Sequence, residues 1–183
     1  MNILFINACV RKESRTLVLA KDILSKMEGD VTEIDLAKEN IAPLNRELLE
    51  QRDRLLKSGE FDAPTLRYAK QFAQADEIVI AAPFWDLGFP ALLKIYMEQI
   101  CASGITFEYR MGRPISLCKA KRLVYVTTAG GEFFCDFGYS YIKAIANNFF
   151  GIQDTICYRA TNLDVNCISA DELLQKATIT TIK

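Results

Sequence analysis

Apolar stretches alternate with amphipathic segments along the whole chain. Apolar runs predict buried strands at residues 2–8, 77–83 and 122–128. Alternation of apolar and polar residues predicts a half-buried strand at residues 31–36, and a fifth strand is predicted at residues 154–159. Apolar residues at helical spacing predict helices over residues 14–27, 42–58, 140–150 and 170–177, with two more beginning at Pro64 and Pro90. Strands that alternate with amphipathic helices predict a parallel sheet covered by helices on both faces.

The number of strands narrows the topology. Five strands fit the flavodoxin-like doubly wound arrangement, with the order 2-1-3-4-5. We therefore predict an α/β fold in which residues 1–183 form a single domain, a length that suits one core. Ligands of such sheets bind at the carboxyl ends of strands 1, 3 and 4. The three segments that leave those ends are the candidate functional loops.

Composition excludes several classes of chemistry. The chain contains no histidine, which excludes Ser-His-Asp and Cys-His hydrolases and histidine-ligated zinc sites. Its six cysteines include no CxxC pair, so neither a zinc ribbon nor an iron–sulfur run is expected. We interpret Cys9, Cys101, Cys118, Cys135, Cys157 and Cys167 as reduced thiols.

Charge and hydropathy indicate where the protein works. A net charge of −1 provides no basic field for nucleic acid or for an anionic membrane. No apolar run approaches the roughly 20 residues of a membrane span, and residues 1–7 do not resemble a secretory signal. These features predict a cytoplasmic protein without a nucleic-acid or membrane partner.

The first candidate loop, residues 7–16, suits a phosphate group. It carries Arg11, Lys12 and Arg15 together with the hydroxyl groups of Ser14 and Thr16, and it ends where a helix is predicted to begin. A helix N-terminus offers free N–H groups and a positive dipole end to an anion. The loop has neither a GxGxxG nor a Walker A motif, so a phosphomonoester fits better than a dinucleotide. The alternative is that Ser14 only caps the helix.

The other two loops suit a planar ring. Residues 82–90 contain three aromatic residues, two prolines and a glycine, which predicts a stiff apolar wall whose amides near Asp86 and Leu87 could meet a polar ring edge. In residues 127–131, Gly130 and Gly131 allow close approach and can donate N–H groups to a carbonyl edge. The alternatives are a lid on the core and a tight turn. In this order the three loops describe an FMN site.

These loops resemble those of the flavodoxin-fold NAD(P)H:quinone oxidoreductases, a family that includes FMN-dependent NADH azoreductases. Residues 7–16 resemble the family's phosphate loop, and residues 83–90 are similar to its isoalloxazine loop. Residues 127–131 are similar to its Thr-(Ser/Thr)-x-Gly-Gly loop. The resemblance covers most of residues 1–150 and is most specific from Pro83 to Gly131.

The resemblance implies a homodimer with FMN at the subunit interface. It implies two-electron, ping-pong reduction of quinones, azo dyes or nitroaromatic compounds by NADH or NADPH. Flavin N5 would carry the chemistry, so no catalytic side chain is assigned. By position, the phosphate would be held by Ser14, Arg15 and Thr16. The ring would be lined by Pro83, Phe84, Trp85, Asp86 and Leu87, and its pyrimidine edge would be met by Thr128, Ala129, Gly130 and Gly131.

Two departures from the family pattern leave the substrates open. Asp86 stands where asparagine or a bulky aromatic residue is commoner, and an ionised carboxylate there would lower the flavin's reduction potential. Residues 132–139 and 160–183 match no family pattern. The electron acceptor and the choice between NADH and NADPH are therefore not predicted.

Three other functions remain open at this stage. Residues 9–16 fit C-x5-R-[S/T], which resembles the signature of the tyrosine phosphatases, with Cys9 as nucleophile and Arg15 as phosphate ligand. The loop has no glycine, however, and no late Asp-Pro dipeptide supplies a general acid. An FMN electron-transfer protein would be expected to be strongly acidic. A cofactor-free interaction module is compatible with the same fold.

Overall fold

A six-stranded sheet forms the centre of the molecule. The structure, a computed structural model, describes residues 1–133, 135–165 and 169–180, and of residues 178–180 it describes the backbone only. The strands are β1 (Asn2–Asn7), β2 (Asp30–Asp35), β3 (Glu77–Ala81), β4 (Phe107–Arg110), β5 (Arg113–Ser116), β6 (Arg122–Thr128), β7 (Asp154–Ala160) and β8 (Thr178–Thr180). The sheet order is β2-β1-β3-β6-β7-β8, while β4 and β5 form a separate hairpin.

The predicted topology is confirmed. The strands β1, β2, β3, β6 and β7 pair in parallel, and numbered among themselves they have the order 2-1-3-4-5. The sequence analysis missed β8, which adds to β7 in the antiparallel direction at the sheet edge. It also missed the β4–β5 hairpin, whose turn places Met111 and Gly112 at φ values of 50° and 75°.

Helices cover both faces of the sheet. They are α1 (Arg15–Leu24), α2 (Arg46–Ser58), α3 (Arg67–Gln74), α4 (Ala91–Ile100), α5 (Tyr139–Asn148) and α6 (Ala170–Gln175), with a 3-10 turn over Pro64–Leu66. Side chains set their starts: the Ser14 and Asn45 side chains cap α1 and α2, and Pro90 precedes α4. In the described part of the chain, no helix is long and apolar enough to cross a membrane.

Alternation along the strands divides the core in two. On β6, Leu123 and Tyr125 face the side covered by α3, α4 and α5. The intervening Val124 and Val126 face the side covered by α1 and α6. Because both faces are covered, β1, β3 and β6 are buried almost along their whole length. This burial fixes the register of the strand ends from which the candidate loops leave.

Two buried thiols predict a loss of stability in alkali. Burial raises the pKa of Cys157 to about 12 and that of Cys9 to about 11. A raised folded-state pKa means that the stabilisation is complete below the ordinary value near 9 and is lost as the pH rises through the folded value. At pH 10 each thiol should cost about 1 kcal/mol of the free energy of unfolding.

Urea unfolding between pH 8 and pH 11 measures this loss. The variant Cys157→Ala will be less stable at every pH because it leaves a cavity. It should nevertheless show a shallower alkaline decline than the wild type. An identical decline in the two proteins would mean that Cys157 does not titrate as its burial requires.

Candidate active site

Three loops meet at the carboxyl edge of the sheet. The ends of β1, β3 and β6 lie side by side, and the pairing continues into the loops where Ala82 and Phe84 donate N–H hydrogen bonds to the carbonyl groups of Val126 and Thr128. A cavity of about 220 Å³ lies among the loops. Its lining consists of Val10, Arg11, Glu13, Ser14, Arg15, Thr16, Pro83, Phe84, Trp85, Thr128, Ala129, Gly130 and Asp164.

Most of the predicted site residues therefore come together. Of the predicted set, Asp86, Leu87 and Gly131 do not line this cavity. Asp86 and Gly131 nevertheless adjoin the lining residues Trp85 and Gly130 along the chain, and Leu87 follows Asp86. The lining also includes Asp164, which the sequence analysis did not single out.

The first loop ends in a capped helix N-terminus. Ser14 is buried and extended, and its Oγ accepts a hydrogen bond of 3.3 Å from the N–H of Leu17. The prediction that Ser14 caps the helix is thus confirmed. The N–H groups of Arg15 and Thr16 precede the first intrahelical hydrogen bond and have no intrahelical partner. They leave an anion-binding helix end at the wall of the cavity.

The Arg15 side chain is directed across the site rather than into the first loop. Its guanidinium donates to the carbonyl oxygen of Leu163 at 2.8 Å and to Oδ1 of Asp164 at 2.6 Å. Both partners belong to the segment that follows β7. Arg15 therefore has two separate features: a main-chain N–H at the helix end and a side chain that holds a remote segment beside the cavity.

A hydroxyl pair joins the first loop to the third. The Oγ1 atoms of Thr16 and Thr128 lie 2.6 Å apart, and both side chains are buried. Thr16 lies in the first turn of α1, and Thr128 is the last residue of β6. This contact fixes the helix N-terminus relative to the loop that carries Gly130.

The environment of Cys9 is the opposite of what a phosphatase nucleophile needs. Burial raises the pKa of Cys9 to about 11, and its Sγ lies 3.7 Å from the carbonyl oxygen of Ala81. A nucleophilic cysteine requires a lowered pKa. The Arg15 side chain is also held by Leu163 and Asp164 rather than by the Cys9 loop. The phosphatase interpretation of Cys9 and Arg15 is therefore not favoured.

The second loop is built on a tight turn. Trp85 and Gly88 exchange main-chain hydrogen bonds, with Asp86 and Leu87 between them at φ values of 51° and 65°. Two consecutive positive φ angles define a type I′ turn, which glycine and asparagine adopt most easily. A leucine in this conformation costs roughly 1 kcal/mol. The turn displays the side chains of Asp86 and Leu87 to solvent beside Trp85.

Aromatic and basic side chains surround this turn. The guanidinium carbon of Arg11 lies 5.8 Å from the centroid of the Trp85 ring, within the range of a cation–π contact. The Phe84 ring packs against Phe133 with centroids 4.1 Å apart. Trp85 thus contacts the first loop, and Phe84 contacts the segment that follows the third loop.

The third loop has free donors. Ala129 donates its N–H to the carbonyl of Ala160 at 3.0 Å, which extends the sheet by one residue. The N–H groups of Gly130 and Gly131 make no hydrogen bond within the described residues. Of the predicted donors, these two glycines therefore remain available to a ligand, whereas Ala129 does not.

Asp164 explains why a glycine stands at position 130. A β-carbon built on Gly130 would overlap the Asp164 carboxyl group, whose Cγ would lie only 2.8 Å away. Asp164 in turn donates its N–H to the carbonyl of Gly130 at 2.9 Å and pairs with Arg15. No local pattern marks Asp164, because its contacts join the chain's first helix to the segment after its seventh strand.

Comparison with known proteins identifies the family. A family model described as the flavodoxin-like fold matches residues 1–180. An FMN-dependent NADH:quinone oxidoreductase of Coprothermobacter proteolyticus is 35% identical over 165 residues, which cover 84% of this chain and 82% of that relative. An FMN-dependent NADH:quinone oxidoreductase 2 of Clostridium acetobutylicum is 37% identical over 177 residues, which cover 89% of this chain and 87% of that relative.

Solved structures agree on the fold. An azoreductase from Bacillus anthracis superposes with a TM-score of 0.83 at 21% identity, over 96% of this chain and 94% of that chain. An FMN-dependent NADH-azoreductase from the same species, solved in complex with FMN, superposes with a TM-score of 0.79 at 23% identity, over 96% and 93% of the two chains. On the family model and the sequence relatives, the chain belongs to the flavodoxin-like-fold family that contains the FMN-dependent NADH:quinone oxidoreductases.

Proposed function

We propose that this protein is an FMN-dependent NAD(P)H oxidoreductase that reduces quinones, azo compounds or nitroaromatic compounds. One observation supports it above the others: free amides at the start of α1 and at Gly130 border the same cavity as Phe84 and Trp85. Relatives that share about a third of their residues with this chain are named as FMN-dependent NADH:quinone oxidoreductases.

The residues around the cavity fit FMN. Ser14 and the amides of Arg15 and Thr16 would hold the phosphate, because a capped helix N-terminus with hydroxyl donors suits a phosphomonoester.

The second and third loops would hold the ring. Pro83, Phe84, Trp85 and the Asp86–Leu87 turn would line it, with a turn amide toward N5. Gly130 and Gly131 would donate to the pyrimidine edge, where negative charge develops on reduction. Bound FMN would supply hydride transfer. The protein then needs to position and stabilise the ring, which explains how a chain without histidine can serve.

We infer that two chains associate over this edge. Leu87, Phe137 and Val10 expose 43%, 64% and 47% of their surface around the cavity, and Phe137 donates its N–H to the Leu87 carbonyl. Exposed apolar residues grouped at a site mark a contact surface. Light scattering should give twice the mass of the 20.7 kDa chain, and Leu87→Asp with Phe137→Asp should lower it to one chain. A monomeric wild type would contradict this inference.

The cytoplasm is the expected compartment. NADH and NADPH are supplied there, and Cys9, Cys101, Cys118, Cys135 and Cys157 are free thiols in the structure. The sixth cysteine, Cys167, lies outside the described residues.

Steady-state kinetics test the proposed activity. With FMN present, NADH oxidation should depend on added benzoquinone, and varying both substrates should give the parallel double-reciprocal lines of a ping-pong reaction. An FMN electron-transfer protein would bind the flavin but would not oxidise NADH with this acceptor. Flavin binding without NADH-dependent turnover would therefore replace the oxidoreductase by the electron carrier.

A further inference from the structure

Three side chains in successive contact, Phe84, Phe133 and Arg159, form a column beside the cavity. The guanidinium carbon of Arg159 lies 4.1 Å from the centroid of the Phe133 ring. The Phe133 ring also packs against Phe84, with ring centroids 4.1 Å apart and an interplanar angle of 43°. Phe84 is the member of this column that lines the cavity. Arg159 therefore reaches the site through one intervening ring.

Asp136 fixes the outer end of the column. Its Oδ2 pairs with Nη2 of Arg159, and its Oδ1 accepts the N–H of Tyr139 at 2.8 Å, at the start of α5. The Arg159 and Asp136 side chains are only 16% and 11% exposed. A paired, part-buried guanidinium anchored to a helix N-terminus has little freedom to leave the ring that it covers.

The same segment is attached to the second loop by its main chain. Phe137 donates its N–H to the Leu87 carbonyl at 3.1 Å, and Phe84 donates its own to the Thr128 carbonyl at 3.0 Å. Phe133 therefore contacts the side chain of Phe84, and Phe137 contacts the strained turn at Leu87. The sequence analysis found no pattern in this segment, and its role follows only from these contacts.

We propose that Arg159 is a positioning residue for the ring site: held by Asp136, it presses Phe133 against Phe84 and so sets the wall against which the flavin ring lies. The proposal rests on the proposed FMN-dependent function. It predicts that Arg159 acts through Phe133, and not through direct contact with the cofactor or the acceptor.

A double-variant cycle tests this route. Arg159→Leu and Phe133→Leu should each weaken FMN binding about tenfold and change the visible circular dichroism of the bound flavin, since ring and cation–π contacts are lost. The double variant should be no weaker than either single variant, because both remove one support. Arg159→Lys keeps a cation over the ring and should stay within about threefold of the wild type.

Readouts separate a local effect from misfolding. FMN affinity is measured by quenching of flavin fluorescence, alongside kcat and KM for benzoquinone with saturating FMN. The variant Asp136→Asn keeps an oxygen that can accept the N–H of Tyr139 but loses the ion pair with Arg159. It should give the same spectral change as Arg159→Leu. If Arg159→Leu does not unfold cooperatively, Asp136→Asn takes its place in the test.

The outcomes distinguish the two proposals. Wild-type protein that binds FMN, with Arg159→Leu and Asp136→Asn unchanged in affinity and dichroism, would overturn the positioning role alone. Effects of Arg159→Leu and Phe133→Leu that simply add would also overturn it. Wild-type protein that binds no FMN would overturn the proposed function, and the positioning role with it.

Discussion

Replacing Ser14 with aspartate is expected to weaken FMN binding at least about 100-fold, or about 2.7 kcal/mol. The new carboxylate would lie at the helix N-terminus where the phosphate is proposed to bind. Two unit charges about 4 Å apart near a protein surface repel by roughly 4 kcal/mol. Aspartate caps helices as well as serine does, so the Leu17 N–H keeps an acceptor and α1 should stay intact.

The variant Ser14→Asn is the matched control. Asparagine is an equally good N-cap and carries no charge. It should lose far less affinity, and both variants should unfold at nearly the wild-type temperature. Isothermal titration with FMN and with riboflavin, which lacks the phosphate, measures the difference. Equal losses in Ser14→Asp and Ser14→Asn would place the phosphate elsewhere.

The second large effect is expected at Gly130. Gly130→Val should reduce FMN affinity about 30-fold or more, since a branched side chain both crowds the ligand edge and overlaps the Asp164 carboxyl group. The clash would also displace Asp164 from Arg15, where the two side chains now lie 2.6 Å apart.

Removing Asp164 separates these two causes. In the variant Asp164→Ala, the side chain that collides with a residue at position 130 is absent. Adding Gly130→Val to Asp164→Ala should still abolish most FMN binding if the glycine is needed for close approach of the ring. Affinity restored to the level of Asp164→Ala would mean that the glycine serves only the packing of Asp164. Fluorescence titration of all four proteins measures the cycle.

The sheet could be predicted because buried strands leave a simple pattern of apolar residues in the sequence. A strand covered on both faces, such as β3, reads as a continuous apolar run, and the amphipathic helices between strands fix the parallel direction. The β4–β5 hairpin was missed because Met111 occupies the first positive-φ position of its turn, where asparagine or aspartate gives the usual signal. The strand β8 was missed because it is a three-residue edge strand.

The candidate site likewise has features that the sequence could predict and features that it could not. The positions of the three loops follow from topology, so residues at strand ends and at the α1 N-terminus could be named in advance. The direction of the Arg15 side chain could not, because its partner Asp164 is 149 positions away in the chain. The contacts of Phe133 with Phe84 and Arg159 likewise join residues that are far apart in the chain. Contacts of this kind exist only in three dimensions.

The most direct measurement is the binding of FMN and riboflavin to the purified wild-type protein, followed by quenching of flavin fluorescence. We predict saturable binding of one FMN per chain, a clear preference for FMN over riboflavin, and bleaching of the bound flavin by NADH without oxygen. Failure to quench FMN fluorescence at a large excess of protein would contradict the cavity as a flavin site. Equal affinity for riboflavin would contradict the phosphate cradle at the start of α1.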